Sequence, residues 1–371
     1  MSARAAGEAP YGERLARLRA SLAQSELDAL LVSALPNIRY LTGFTGSNGL
    51  VVVTADEAIL LTDFRYAAQV KHEVAREARV VIEQSSLWTR LWTELKSLRQ
   101  VELLAFETAH TTHQDAARFV VGTGEGSAWH WRPALNLVEV LRESKDPTEL
   151  AHIRTAVAIA EQALAKTLPQ VKAGMTELAV AGLLEYQMRL AGSERTAFET
   201  IVAAGARSAL PHARASAQII EKGNLLLFDF GATSGGYVSD ITRTFVVGRA
   251  PDAKQMEIHT VVREANGSAS AAVRAGMRGR DADALARNYI ERLGFGAAFG
   301  HSTGHGIGLE IHEAPRLAKT AEAPLAHGAV VTIEPGIYLE GWGGVRVEDD
   351  VVLTSEGPEV LTSFERRLLQ L

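Results

Sequence analysis

The apolar positions in the first third of the chain form short runs that alternate with helical patterns. Runs of strand length occur at residues 29–32, 50–53, 58–61, 80–82 and 103–106. Leu15, Leu18 and Leu22 have helical spacing, and helical patterns recur around residues 66–75 and 113–120. This alternation predicts an α/β domain, with a hairpin joining the runs at 50–53 and 58–61.

The pattern changes after Pro133. A charged segment over residues 141–149 leads into a long, Ala-rich helical stretch over residues 151–167, which ends near Pro169. We therefore expect two domains, residues 1–135 and residues 136–371.

The second of these regions contains an internal repeat. Residues 172–175 and 274–277 share the pattern Lys/Arg-Ala-Gly-Met, and each precedes a helical stretch that ends at a glycine. An apolar run with Asp229 near its end recurs as a run that leads into Glu334. We expect two half-domains related by a pseudo-twofold axis, which would place Asp229 opposite Glu334.

Composition narrows the class of protein. The 371 residues are 47% hydrophobic and 22% charged, as in globular proteins, and the net charge of −6 disfavours nucleic-acid binding. The absence of cysteine excludes disulfides and thiolate ligands, so any metal must be bound by carboxylates and imidazoles. Because there is no signal-peptide pattern and no apolar run of bilayer length, we expect a cytoplasmic protein without membrane contact.

Four acidic residues occupy equivalent places in the two halves. Asp240 follows Asp229, and Glu348 follows Glu334, with several glycines between the members of each pair. This arrangement predicts paired strands that bring the carboxylates side by side. Since clustered like charges repel one another, such a cluster requires a cation.

A glycine-rich segment at residues 300–308 adds His301 and His305, and His312 follows it. The segment matches neither a dinucleotide-binding fingerprint nor a P-loop, so a metal site is favoured over phosphate binding. Four carboxylates and one imidazole suit Mn²⁺, Co²⁺, Zn²⁺ or Fe²⁺, and two bridged ions would use all of them. Such a pair activates water and polarises a carbonyl, which points to hydrolysis of an amide or ester.

The sequence resembles the pita-bread metallopeptidases, which include methionine aminopeptidase, aminopeptidase P and prolidase. The matching motifs are FDFG with Asp229, SDITRTF with Asp240, STGHGIG with His305, TIEPGIY with Glu334 and VRVEDD with Glu348. The segment NIRYLTGF is similar to the creatinase-type N-terminal domain of Xaa-Pro peptidases. The resemblance covers the whole chain. It implies an α+β protein in which a creatinase-like α/β domain precedes a pita-bread catalytic domain with a pseudo-twofold repeat.

The resemblance implies a role for each matching residue. Asp229 would bind one metal ion, His305 and Glu334 the other, and Asp240 and Glu348 would bridge both. Glu334 would also carry a proton from the attacking hydroxide to the leaving nitrogen. The implied cofactor is a pair of divalent ions, with Mn²⁺ expected and Zn²⁺ or Co²⁺ as alternatives.

Substrate contacts follow from the same resemblance. His212 would contact the substrate, and His312 would hydrogen-bond the scissile carbonyl or the tetrahedral intermediate. The pocket for the proline after the scissile bond would be lined by His301, Tyr338 and Arg346.

Two of these pocket residues have structural alternatives. Tyr338 could serve in core packing, and Arg346 could pair with Asp349 or Asp350.

A dipeptidase needs a basic group for the free carboxylate of proline, and the sequence offers no basic motif beyond Arg346. We therefore expect an aminopeptidase P, which releases the N-terminal residue of Xaa-Pro peptides, with prolidase, an Xaa-Pro dipeptidase, as the alternative.

The resemblance also implies partners. The substrates would be peptides with proline at the second position, and the protein would be a homodimer in which a loop at residues 37–47 contacts the partner's active site. All five ligand positions are filled, which argues against a pita-bread protein that serves only as a binding module.

Overall fold

The computed structural model describes residues 9–98, 101–122 and 129–371. The chain separates into two compact units, residues 1–142 and 143–371. Composition places the boundary near residue 135, whereas the division lies after Arg142. The Arg142 guanidinium donates to the Asn37 side chain at 2.6 Å, which ties residues beyond 135 to the first unit.

The first unit alternates strands with helices, as its apolar runs predict. Its strands are β1 (Ala29–Val32), β2 (Gly49–Thr54), β3 (Ala58–Asp63), β4 (Arg79–Glu83), β5 (Leu103–Glu107) and β6 (His130–Ala134). Its helices are α1 (Tyr11–Gln24), α2 (Leu35–Thr42), α3 (Val70–Glu73), α4 (Leu87–Ser97), α5 (His113–Gly122) and α6 (Glu139–Glu143), the last of which ends at the division. The strands form a mixed sheet in the order β4-β3-β2-β1-β5-β6, and the predicted hairpin is the antiparallel pair β2–β3.

The segment at residues 37–47 is not the continuous loop that we expected. Helix α2 covers its first part, with Pro36 in the first turn, where the fixed φ of proline suits a helix. Gly43, with a φ of 83°, ends this helix in the left-handed conformation.

The second unit contains the repeated order of elements that the sequence predicts. The first half comprises α7 (Pro147–Thr167), α8 (Glu177–Leu190), β7 (Ile201–Ala204), β8 (Leu225–Phe230), β9 (Thr233–Ser234), β10 (Tyr237–Val238) and β11 (Ile241–Val246). The second half comprises α9 (Ala253–Ala272), α10 (Gly279–Arg292), β12 (Gly304–Gly306), β13 (Glu313–Leu317), β14 (Val330–Ile333), β15 (Gly336–Leu339), β16 (Gly343–Arg346), β17 (Asp349–Thr354) and β18 (Gly357–Val360).

Local sequence explains why the two halves fold alike. Asp146 caps α7 and Asp252 caps α9, each with a capping box that satisfies backbone N–H groups of the first turn. Gly174 and Gly276 lie in the turns before α8 and α10 with φ values of 93° and 82°. Glycine adopts this left-handed conformation without the steric penalty of a Cβ atom.

The strands of the second unit form two antiparallel arrays that lie against its helices. The arrays have the orders β11-β8-β7 and β13-β12-β14-β17-β18, and short hairpins, β9–β10 and β15–β16, connect their strands. Helix α9 packs against the second array and the β15–β16 hairpin through a buried core that includes Val262, Ala269, Val331, Val345 and Val351. No helix in the described part of the chain is long and apolar enough to cross a membrane.

We expect Gly174→Ala and Gly276→Ala each to lower the free energy of unfolding by about 1 kcal/mol, because an L-residue is strained in the left-handed conformation. A methyl group at either position would meet no further atom within 4 Å among the described residues, so the backbone is the source of the effect. Urea unfolding measures the change.

Gly182→Ala is the matched control. Gly182 lies inside α8, and a methyl group there also enters open space. This substitution should raise the free energy of unfolding by about 0.5–1 kcal/mol, because alanine favours the helix over glycine. Equal stability of Gly276→Ala and Gly182→Ala would contradict the explanation.

Candidate metal centre

The strand register brings Asp229 and Asp240 to one face of the first array. Asp229 pairs with Thr242 across the antiparallel strands β8 and β11. Asp240 lies two residues before Thr242 and therefore projects to the same side of the strand. The predicted pairing of two strands is confirmed, and the β9–β10 hairpin occupies the glycine-rich connection.

The second half repeats this arrangement with glutamates. Ile333 pairs with Asp349 across β14 and β17, so the next position along each strand places Glu334 opposite Glu348. The halves meet at this point, because the Glu348 N–H donates to the Thr242 carbonyl at 3.2 Å and the Thr242 hydroxyl donates to the Glu348 carboxylate at 2.6 Å.

His305 joins the acidic residues from β12. Its Nε2 atom lies 3.4 Å from Glu334 Oε1 and 3.7 Å from Asp240 Oδ2. Its Nδ1 atom lies 3.1 Å from the Gly306 carbonyl, which requires the proton on Nδ1. Burial, with the neighbouring His312, lowers the pKa of His305 to about 4. The imidazole is therefore neutral at pH 7, with the Nε2 lone pair directed toward the carboxylates.

The carboxylates of this cluster are buried close together, which raises the pKa values of Asp240, Glu334 and Glu348. Burial, followed by the charges of Glu348 and Asp229, raises the pKa of Asp240 well above its usual range. Burial and the charges of Glu334 and Asp229 do the same to Glu348. The pKa of Glu334 rises to about 8, mainly through burial. The cluster resists carrying its full negative charge without a compensating cation.

The donor set fits a divalent cation. Oxygen or nitrogen atoms of Asp240, His305 and Glu348 lie within 4.8 Å of one another. Asp240 Oδ1 is buried without a hydrogen-bond partner in the described part of the chain, although buried polar atoms are normally satisfied. Carboxylate oxygens with a neutral imidazole nitrogen suit Mn²⁺, Co²⁺ or Zn²⁺.

Arg346 supplies positive charge beside the cluster. It forms an ion pair with Asp229, and its Nε donates to the Thr242 hydroxyl at 3.0 Å. The alternative pairing with Asp349 or Asp350 is wrong for Asp349, whose carboxylate binds Arg243 at 2.8 Å and Arg366 at 2.8 Å.

The carboxylate of Asp350 is also used elsewhere, because it accepts the Asp240 N–H at 3.1 Å. Neither aspartate is therefore the partner of Arg346, and its guanidinium faces the candidate centre.

A chain of hydrogen bonds links Arg346 to the other two predicted pocket residues. Arg346 Nη1 donates to the Tyr338 hydroxyl at 2.7 Å, and that hydroxyl lies 2.9 Å from His301 Nε2. Burial and the Arg346 charge lower the pKa of His301 to about 4, so the imidazole is neutral at pH 7 and its Nε2 accepts a hydrogen bond from the Tyr338 hydroxyl. Tyr338 thus has a polar role in addition to packing.

His212 and His312 lie on the more open side of the cluster, and both are exposed. The His312 ring meets the His305 ring edge-on, with centroids 4.4 Å apart. Partial burial, with the charges of Arg316 and His212, lowers the pKa of His312. The Pro211 carbonyl, next to His212, accepts from Arg346 at 3.3 Å.

Arg316 is the basic residue that the sequence analysis missed. It pairs directly with His305 across β12 and β13, so both side chains project to the same face. Its charge contributes to the lowered pKa values of His305 and His312. Within the described residues its exposed guanidinium has no hydrogen-bond or ion-pair partner. The alternation of side chains along β13 is the sequence signal that could have identified it.

Two family models match this chain. Residues 151–355 match metallopeptidase family M24, and residues 14–143 match the creatinase/prolidase N-terminal domain. The predicted resemblance to pita-bread peptidases and the predicted α+β arrangement are confirmed.

Individual relatives match over nearly the whole chain. An Xaa-Pro dipeptidase from Pyrococcus furiosus is 36% identical over 96% of this chain and 99% of its own. The structure of an Xaa-Pro dipeptidase from Bacillus anthracis is 40% identical, with a TM-score of 0.93 over 97% of this chain and 100% of its own. That of an X-Pro aminopeptidase from Thermotoga maritima is 37% identical, with a TM-score of 0.88 over 96% of this chain and 99% of its own.

The acidic cluster with its imidazole and the matched models agree on one conclusion: the chain belongs to metallopeptidase family M24.

Proposed function

We propose that this protein is a dinuclear Xaa-Pro dipeptidase. The observation that carries the proposal is the similarity, over almost the full length of both chains, to Xaa-Pro dipeptidases from P. furiosus and B. anthracis. The sequence alone favoured aminopeptidase P because Arg346 was the only basic candidate. Arg346 is engaged by Asp229, whereas Arg316, which is exposed and has no ion-pair partner among the residues that the structure describes, is available for a free carboxylate.

Five residues would hold the two ions in this proposal. Asp229 would bind one ion, His305 and Glu334 the other, and Asp240 and Glu348 both. Bound there, a pair of divalent ions such as Mn²⁺ supplies Lewis acidity and makes water nucleophilic near neutral pH. Burial of the carboxylates and the neutral state of His305 support this assignment.

Proton transfer is assigned to Glu334. Its Oε1 accepts a hydrogen bond from the Thr332 hydroxyl at 3.2 Å, which orients the carboxylate at the cluster. As the water oxygen bonds to the scissile carbonyl carbon, Glu334 takes one proton from it. The same proton passes to the proline nitrogen when the carbon–nitrogen bond breaks.

His312 and His212 would act on the substrate. Because the pKa of His312 is lowered, its imidazole is neutral at pH 7 and offers an N–H group to the oxygen that becomes negative in the transition state. His212, on the same open side, would hydrogen-bond the substrate near the scissile bond.

The proline ring would lie against the hydrogen-bonded chain of His301, Tyr338 and Arg346. Their mutual hydrogen bonds fix the three side chains before substrate binds. Such preorganisation lowers the entropy lost on binding.

Arg316 would bind the carboxylate of the dipeptide. Its place opposite His305 and near His312 puts a cation at the edge of the centre. A guanidinium matches the geometry of a carboxylate through paired hydrogen bonds.

Aminopeptidase P is the second candidate, because the X-Pro aminopeptidase of T. maritima is similar over almost the same extent. In this reading the site beyond proline stays open, and Arg316 contacts the longer chain. Mn²⁺ as the native metal, the homodimer and a cytoplasmic location remain predictions.

Hydrolysis of an Xaa-Pro dipeptide and an Xaa-Pro-Xaa tripeptide, at equal concentrations with Mn²⁺, separates the two candidates. We expect kcat/KM for the dipeptide to exceed that for the tripeptide by about tenfold or more, as one charge-assisted contact provides. Release of the N-terminal residue is measured by chromatography. Faster cleavage of the tripeptide would favour aminopeptidase P.

Replacing Arg316 tests the carboxylate contact. We expect Arg316→Gln to lower kcat/KM for Xaa-Pro by about 10–100-fold, the loss of a hydrogen bond to a charged group. The Xaa-Pro amide, which lacks the negative carboxylate, is the matched control and should be hydrolysed equally by both proteins. An equal loss for dipeptide and amide would exclude carboxylate recognition by Arg316.

A further inference from the structure

Asn266 lies on α9, and its side chain is completely buried. It lies next to the backbone that carries Glu334 and Glu348, but it is not one of the proposed metal ligands. Its Nδ2 atom donates to the Ile333 carbonyl at 2.7 Å and to the Val347 carbonyl at 3.3 Å. Ile333 immediately precedes Glu334, and Val347 immediately precedes Glu348. One amide group therefore contacts the backbone in front of both proposed metal ligands of the second acidic pair.

These contacts complete a two-sided restraint on each glutamate. The peptide unit between Ile333 and Glu334 has its oxygen bound by Asn266 and its N–H bound to the Thr303 carbonyl at 2.8 Å. Because the peptide unit is planar, hydrogen bonds at both ends fix its orientation and the position of the Glu334 Cα atom.

The peptide unit between Val347 and Glu348 is restrained in the same way. Asn266 binds its oxygen, and its N–H donates to the Thr242 carbonyl at 3.2 Å. Since the same nitrogen serves both peptide units, it also sets the distance between them.

The chemistry of the amide makes its orientation unambiguous. Two carbonyl oxygens require a donor, so the NH₂ group must face them. Asn266 Oδ1 is buried and has no hydrogen-bond partner among the described residues, which costs free energy of folding. An apolar residue at this position would avoid that penalty, so the amide is explained by the contacts of its NH₂ group.

We infer that Asn266 is a positioning residue that holds Glu334 and Glu348 at the separation needed to bind the metal pair. The inference rests on the metal centre proposed above. Loss of the amide would leave the ligands present but would release the backbone on which they stand. Groups that orient metal ligands typically affect metal affinity by about 10–100-fold.

Calorimetric titration of the metal-free protein with Mn²⁺ tests this role. We expect Asn266→Leu, which keeps the side-chain size and removes both donors, to weaken binding of at least one Mn²⁺ ion by about 10–100-fold. Asn266→Asp, which when protonated offers a single donor, should give an intermediate loss. If Asn266→Leu does not fold, as judged by circular dichroism, the Asn266→Asp titration decides.

Ser270→Ala is the matched control. Ser270 lies one turn further along α9, is equally buried, and its hydroxyl has no partner in the described part of the chain. The Ser270→Ala protein should bind Mn²⁺ with the affinity of the wild type. Folded Asn266 variants with wild-type Mn²⁺ affinities would overturn the inference, whereas a wild-type protein that binds no Mn²⁺ would instead refute the metal centre itself.

Discussion

Repulsion among buried carboxylates is the constraint on which the catalytic unit depends. Asp229, Asp240 and Glu348 are each less than one-tenth exposed, and Glu334 lies beside them. Like charges in a medium of low polarity destabilise a fold unless positive charge compensates them. Arg346 compensates the charge of Asp229. His305 is neutral and adds no positive charge, so the negative charge of the other carboxylates calls for divalent ions. The same constraint supports the proposed metal centre, because a fold has no structural reason to gather these groups.

The internal repeat explains how the chain achieves this arrangement. Each half provides a strand that ends at one acid, a short hairpin, and a second strand that begins beside the other acid. The two halves join where Glu348 and Thr242 exchange hydrogen bonds, so the four acids meet at the junction. Helix α9 then braces this junction through Asn266. The junction of the two halves thus both stabilises the fold of the second unit and positions the proposed metal ligands.

The sequence predicted much of this site, for identifiable reasons. The carboxylates occur in distinctive motifs at repeated positions, His305 lies in a distinctive glycine-rich motif, and the strands are marked by short apolar runs. Arg316 and Asn266 could not be found in this way, since their proposed roles arise from cross-strand register and from the packing of helix α9 against the ends of two strands. Helix α2 was mistaken for part of a loop because it is only eight residues long, with Pro36 in its first turn and Gly43 at its end.

Thermal unfolding of the wild type and of Asp240→Asn, each in chelator and in excess Mn²⁺, tests the central claim most directly. Without metal, the neutral amide should raise the midpoint above that of the wild type, because it removes a buried like charge. Mn²⁺ should then raise the midpoint of the wild type far more than that of the variant, since a ligand stabilises the state that binds it. Glu359→Gln, which changes an exposed glutamate paired with Arg154, should behave like the wild type throughout. An equal effect of Mn²⁺ on wild type and Asp240→Asn would contradict the account.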